Sequence, residues 1–337
     1  MRIATWNVEW FAELFDARDN LLADDGPGGR EGVSRKVQAD AIAQVLARID
    51  ADLTVIIEAP NTGHTQRTER ALGRFAAAYG LRQSAALIGF ANTTHQEIAA
   101  LYDPSRLSLR HDPLESPRAP RFDQSFEVDT DVDDHAEAHV FSKPPLELEL
   151  TAPGIAPPLR LIGVHAKSKA PHNANGMARA DEVSILNRRK QLAQCIWIRR
   201  RVEAMIAAGM PVIVLGDLND GPGLDHYEHL FGHSSVEVVM GDPAHPETEL
   251  YDPHANAWRN PRQGFTMGTA RFYHRDFQRY VHALLDYVMV SRDILERHRP
   301  RWRIWHPFDD PRIHADAPFR DALIAASDHY PVSVDLA

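Results

Sequence analysis

The sequence predicts an α/β protein in which two packed β-sheets are flanked by helices. Three observations carry this expectation. Short continuous apolar runs, rich in β-branched residues and Leu, recur from Ile3 to Val334, as buried strands require. Segments of helical period separate several of these runs. Many of the runs stop at a carboxylate, amide or imidazole, which is what a polar site on one rim of a sheet needs. No interior stretch reads as a linker, so residues 1–337 are expected to form one domain.

Arg2–Asn7 opens the chain as a short strand ending at Asn7. From Ser34 to Asp50, Val37, Ile42, Val45, Leu46 and Ile49 repeat at helical spacing, with Ser34 placed to cap the first turn. The run Leu53–Ile57 then stops at Glu58, and a second helix is expected over Glu69–Tyr79. Glu97–Tyr102 and Arg106–Arg110 read as a strand pair around the turn Asp103-Pro104-Ser105. Residues 111–137 are Pro-rich and then acidic, as a surface loop would be. Strands are expected at 138–142, 145–151 and 158–164, the last stopping at His165. The longest helix should run from Glu182 to Ala208, with Ile185, Leu192, Ile196, Val202 and Met205 as its apolar stripe and Trp197 as packing. Pro211–Gly216 is a strand that stops at Asp217-Leu218-Asn219. Leu285-Asp286 enters another, and Ser327-Asp328-His329 precedes the last.

Hydrophobic content of 44% and charged content of 25% fit a soluble globular protein. No run approaches the ~18 apolar residues of a membrane span. No basic and apolar leader precedes the first strand, and the one cysteine, Cys195, cannot form an intrachain disulfide; both fit a reducing cytoplasm. A formal charge of −10 argues against tight, non-specific polyanion binding over the whole surface, but leaves room for a local basic strip. Arg188, Arg189, Lys190, Arg199, Arg200 and Arg201 read as a solvated helix face. Arg259, Arg262, Arg271, Arg275 and Arg279 sit in an aromatic- and His-rich stretch before Asp286 and are candidates for contact with anions.

Two metal motifs fail their templates. Asp129, Asp131 and Asp133 alternate like a calcium loop, but the sixth position is Asp134 rather than Gly and the twelfth is Val140 rather than Glu. His226, His229 and His233 share a helical face, yet no fourth zinc ligand accompanies them.

Seven segments, taken in order, resemble the endonuclease/exonuclease/phosphatase superfamily, whose fold is DNase I-like. They are Thr5-Trp6-Asn7, Ile57-Glu58, Gln96–Asp103, Gly163-Val164-His165, Gly216-Asp217-Leu218-Asn219, Leu285–Val290 and Ser327-Asp328-His329. No single string is specific, but their order spans nearly the whole chain. The resemblance implies a four-layer α/β sandwich of two mixed sheets. It also implies a metal-dependent phosphodiester hydrolase, with a nuclease acting on DNA or RNA as the leading subclass. The alternative is a phosphodiesterase or phosphatase acting on a lipid headgroup or small metabolite. A non-catalytic phosphate-binding member is disfavoured because no matched position is lost.

Phosphoester hydrolysis needs a cation for developing charge, a placed water and a donor to the phosphate. By the resemblance, Asn7 and Glu58 bind the metal, with Asp328 as a further metal contact. Oxygen ligands of this kind favour Mg²⁺ or Mn²⁺ over zinc. The matches imply that Asp217 orients or deprotonates the water, that Asn219 holds phosphate and water, and that His329, steadied by Asp286, donates to the phosphate. His165 matches a second histidine of the DNase I and sphingomyelinase-like branches, with Glu97 as its partner. Apurinic endonucleases differ at the His165 position, which leans away from abasic-site repair. Lys167, in His165-Ala166-Lys167-Ser168-Lys169, is the better placed of the two lysines for substrate phosphate. Trp6 is expected beneath the site as packing.

Overall fold

The computed structural model describes all residues except 131–134, 171–176, 223–231, 233, 260–266 and 275–277. Its first sheet holds β1 (Arg2–Asn7), β2 (Leu53–Ala59), β3 (Ala85–Ile88), β4 (Glu97–Tyr102), β14 (Arg301–Ile304) and β15 (Val332–Asp335), in the order β14-β15-β1-β2-β4-β3. The second holds β5 (Ser108–His111), β8 (Leu146–Thr151), β9 (Leu159–His165), β10 (Val212–Asp217) and β13 (Asp286–Val290), in the order β13-β10-β9-β8-β5. β6 (Phe126–Val128) pairs with β7 (Glu137–His139), and β11 (Ala270–His274) with β12 (Arg279–Ala283). Both large sheets are mixed: β1 with β2 and β9 with β10 are parallel, and the other pairs are antiparallel.

Side-chain alternation explains the layering. Ile3, Val55, Ile57, Ile98 and Ala100 point from the first sheet into a core shared with Leu146, Leu148, Leu161 and Ile213 of the second. Ala4, Trp6, Ile56, Ala99 and Leu101 point the other way, against α1 (Arg35–Ile49), α2 (Thr68–Tyr79) and, near the C-terminus, α8 (Ala317–Ala326). Ser34 caps α1 by accepting from the Val37 amide. The outer face of the second sheet lies under α3 (Met177–Ala207) and α4 (Ser235–Met240). The shorter helices are α5 (Pro253–Arg259), α6 (Arg292–His298) and α7 (Pro311–Ala315). The fold is thus a four-layer sandwich. Among the described residues no helix is long and apolar enough to cross a membrane.

Four expectations need correction. β4 and β5 are not a strand pair, because both edges of β4 are taken by β2 and β3, so the chain crosses from Asp103 to the second sheet. The stretch 111–137 is not simply a surface loop: Ala119, Phe122, Phe126 and Val128 are buried, with Phe126 stacked on Trp197 at 5.0 Å. The buried face of α3 carries Gln191 and Gln194 rather than a pure apolar stripe, since the strand exits beneath it present backbone groups that need partners. Gln191 Nε2 donates to the carbonyls of Lys167, Leu218 and Asn219, and Gln194 Oε1 accepts from the Lys167 amide.

The basic stretch of α3 is also not a solvated face throughout. Arg201 is buried, paired with Glu147 at 3.1 Å, and donates to the carbonyls of Ala119 and Pro120. Burial pushes Glu147 up to about 7 and lowers Arg201, so desolvation outweighs their attraction. Such a pair adds little net stability, but losing one member is costly. Glu147→Ala should destabilise the protein by about 3–5 kcal/mol in urea unfolding, and a Glu147→Leu/Arg201→Met double variant should recover most of that loss. A single variant within 1 kcal/mol of wild type would show that the pair is solvated. The acidic positions 131, 133 and 134, the three histidines 226, 229 and 233, and Arg262, Arg275 and the Arg259 side chain lie outside the described residues.

Candidate active site

β1 and β2 run parallel and finish at one rim, where Asn7 lies opposite Ile57. Glu58 follows in a β-bulge between Ile57 and Ala59, with φ of 62°, and the Trp10 amide donates to its Oε2 at 2.9 Å. A bulge with a left-handed non-glycine residue costs backbone energy and re-aims the side chain. Across the sandwich, register sets His165, Asp217 and Asp286 side by side on β9, β10 and β13. Gly216 lets β10 reach this row: its φ is 132°, and a Cβ there would sit 2.1 Å from the Val164 carbonyl oxygen.

Asp217 is buried and tightly held. Its Oδ1 accepts from the Asn219 amide at 2.7 Å, and its Oδ2 accepts from Asn7 Nδ2 at 3.0 Å and Asn219 Nδ2 at 3.2 Å. Asn219 itself is left-handed, with φ of 51°, and also donates to the Ala166 carbonyl. Burial pushes Asp217 up to about 7, with the Asp286 charge adding to the effect.

His329 meets Asp286 at 2.8 Å between Nδ1 and Oδ2. Burial works against its imidazolium, but the Asp286, Asp217 and Asp328 charges outweigh it and hold the histidine well above its ordinary pKa. The segment is stitched to β1: Ser327 Oγ donates to the Asn7 carbonyl and accepts from the His329 amide, and Trp6 Nε1 donates to the His329 carbonyl. Trp6 is therefore packing beneath the site. Asp286→Asn should lower the His329 pKa, so the alkaline limb of the pH–rate profile should move to lower pH. An unmoved limb would sever the link between this dyad and the reaction.

The expected Glu97–His165 pair does not form. Glu97 is buried at the start of β4, where it accepts from the Thr62 amide at 3.2 Å and from Asn92 Nδ2 at 2.7 Å, and burial raises it to about 7. The His165 ring faces Lys143 instead, whose Nζ lies 3.2 Å from Nδ1 and 3.3 Å from Nε2. Burial, Lys143, His329 and Lys167 drive the His165 pKa well below its usual value, so this histidine is neutral. Positive charge on that flank comes from Lys143, which burial lowers to about 8 against the opposing pull of Glu58 and Asp217. Lys143 has no motif around it, and no sequence signal singles it out. Glu9, two residues beyond the strand end, likewise carries no sequence signal. It pairs with Arg30 at 2.5 Å, accepts from the Asp328 amide at 3.1 Å, and is raised to about 7 by burial and by Asp328.

These groups open into a cleft of about 520 Å³ lined by Asn7, Trp10, Glu58, Lys143, His165, Lys167, Asp217, Asn219 and His329, among others. Asp286 stands behind His329, and neither Glu97 nor Asp328 lines the cleft. Lys169 pairs with Asp220, which leaves Lys167 as the lysine of that loop on the cleft.

A divalent ion fits the floor. Asn7 gives its Nδ2 to Asp217, and its buried Oδ1 has no hydrogen-bond partner among the described residues, as a waiting oxygen ligand would. Glu58 adds a carboxylate oxygen. A second cluster, Asp217, Asp286 and His329, keeps its ligand atoms within 4.8 Å, but its histidine and Asp286 are already bonded to each other.

A rim of strand ends carrying these groups has the chemistry that phosphoester hydrolysis needs. Residues 4–329 match the model of the Endonuclease/Exonuclease/phosphatase family, and the chain belongs to that family. Its members are metal-dependent phosphoester hydrolases, and this chain is one. No curated protein matches the sequence. Among solved structures, truncated TDP2 from Caenorhabditis elegans is similar, with 14% identity, a TM-score of 0.50, and coverage of 99% of this chain and 96% of that one. The 3'-5' exonuclease NExo from Neisseria meningitidis has 15% identity, a TM-score of 0.50, and coverage of 100% and 99%. At such identities the likeness establishes the fold and leaves the substrate open.

Proposed function

We propose that the chain is a Mg²⁺-dependent phosphodiesterase, with a nuclease as the leading subclass and residues 1–337 acting as one catalytic domain in the cytoplasm. One observation carries the reading: Asp217 stands between His329, steadied by Asp286, and the His165–Lys143 pair, above the unsatisfied Asn7 oxygen. A divalent ion held by Asn7 and Glu58 would supply positive charge to the phosphate and acidity to a water. Asp217, raised to about 7, takes a proton from the attacking water near neutrality, and Asn219 and Asn7 fix the direction of its oxygens. His329 spends Nδ1 on Asp286, leaving Nε2 to donate to a phosphate oxygen. Neutral His165 offers one N–H to another oxygen, beside the Lys143 ammonium. Asp328 lies outside the cleft lining and acts through its charge on His329 and Glu9; it would hold a metal only as a further contact beside Asn7 and Glu58.

The flanking cations also favour a second reading. A monoester dianion needs an additional positive group, and Lys143 and Lys167 together could provide it. NExo itself is described both as a 3'-5' exonuclease and as a 3' phosphatase. Steady-state rates on matched aryl diesters and monoesters in Mg²⁺ decide between them, with plasmid, single-stranded DNA, RNA, sphingomyelin and inositol phosphates as natural classes. The expected result is faster diester turnover together with nucleic-acid cleavage. Faster monoester turnover would overturn the diester preference, and hydrolysis of sphingomyelin or inositol phosphates alone would overturn the nuclease subclass.

A further inference from the structure

The hairpin of β11 and β12 rises directly from the catalytic row. The Arg271 amide donates to the Asp328 carbonyl at 2.7 Å, Ala270 bridges His329, and Thr269 Oγ1 accepts from the Asp286 amide at 2.9 Å. Its cross-strand register places Arg271 opposite His282 and Tyr273 opposite Tyr280. Residues two apart on a strand share a face, so all four side chains stand on one side of the hairpin. Arg271 lies over the Tyr280 ring at 3.8 Å, and the two tyrosines meet edge to face at 5.4 Å. Tyr273 and Tyr280 are each 52% exposed. Among the described residues the hairpin joins no larger sheet, and two strands alone are marginally stable in water. Large exposed aromatics on such an element mark a contact surface rather than a core.

We propose that this face binds the unpaired bases of a single-stranded nucleic acid whose scissile phosphate lies at His329. The inference rests on the nuclease reading and names the substrate class of the same site. Three features select the occupant. The surface is continuous with the catalytic row, about 7 Å of strand separating Arg271 from Tyr273. Aromatic rings backed by a guanidinium form a stacking platform for bases of any sequence, and those bases must be out of a duplex to reach it. The net charge of −10 disfavours an extended track along duplex phosphates, while Arg271, held by its amide on the Asp328 carbonyl next to His329, meets the charge of a single strand locally. Among the described residues of the two strands the face offers phenol rings, an imidazole and a guanidinium, and no aliphatic side chain to enter a lipid bilayer.

The test uses the full chain in Mg²⁺ with four probes: a single-stranded oligonucleotide, the matched duplex, bis-p-nitrophenyl phosphate and anionic phosphatidylserine vesicles. Wild type should prefer the single strand to the duplex. A Tyr273→Ala/Tyr280→Ala variant should raise the KM for the single strand by about 5- to 100-fold. Its turnover of bis-p-nitrophenyl phosphate should be unchanged, which also reports that it folds. Tyr273→Phe/Tyr280→Phe should restore the KM, because the ring rather than the hydroxyl stacks. An unchanged single-strand KM in the Ala variant overturns the inference while the nuclease reading stands. A wild type that cleaves the aryl diester but no oligonucleotide overturns both. Tyrosine-dependent vesicle binding without any effect on oligonucleotides would assign the face to a membrane and overturn it as well.

Discussion

Asp217→Asn should slow phosphodiester hydrolysis by about 10²–10⁴-fold, and His329→Ala should cost a similar factor. In the proposed reaction the two groups serve different sides of the phosphorus: Asp217 acts on the incoming water, and His329 acts on charge that builds on phosphate oxygen. Asp217 is suited to its part by three hydrogen bonds that aim it and by burial that brings it to about 7. Substituting Asn keeps the shape and removes the proton acceptor, so KM should change far less than kcat. His329 needs its charge, which Asp286 sustains at 2.8 Å. Near-normal rates in both variants would mean that the cleft between the sheets is not where the reaction occurs.

The second large effect concerns the metal. Glu58→Gln should raise the Mg²⁺ concentration for half-maximal activity by about 10–100-fold and leave activity partly recoverable at high Mg²⁺. The reason lies in the ligand set. In the proposed metal site Asn7 offers a neutral amide oxygen without a hydrogen-bond partner among the described residues, and Glu58, on the same cleft, supplies the anionic oxygen. A glutamine keeps an oxygen ligand but loses the charge. An Mg²⁺ dependence identical to wild type would remove Glu58 from the metal site.

Much of this site is legible from strand ends. Asn7, Glu58, His165 and Asp217 each terminate an apolar run, and parallel pairing of β1 with β2 and of β9 with β10 brings those ends to one rim. Asp286 begins an antiparallel strand, so it joins the same row from the opposite direction. The hydrophobic runs likewise indicate two sheets, because each strand must be covered on both faces. Partnerships across the sandwich are not legible. Lys143 sits in a short loop between β7 and β8 with nothing local to mark it, and its place against His165 depends on how the second sheet stacks. The family resemblance pairs Glu97 with that histidine, but the loop around Asn92 folds back and takes its carboxylate. The crossing from β4 to β5 looks like a hairpin in sequence because pattern reports strands and a turn, not which edges are already occupied. Arg201 shows the same limit: a charged residue in a basic run reads as solvated until Glu147 is found beneath it.

The most direct test of the whole account is turnover of bis-p-nitrophenyl phosphate by the wild-type chain in Mg²⁺, then after EDTA, then after Mg²⁺ is restored in excess. The site described here predicts hydrolysis that disappears with the chelator and returns with the ion. Undiminished hydrolysis in EDTA would contradict it.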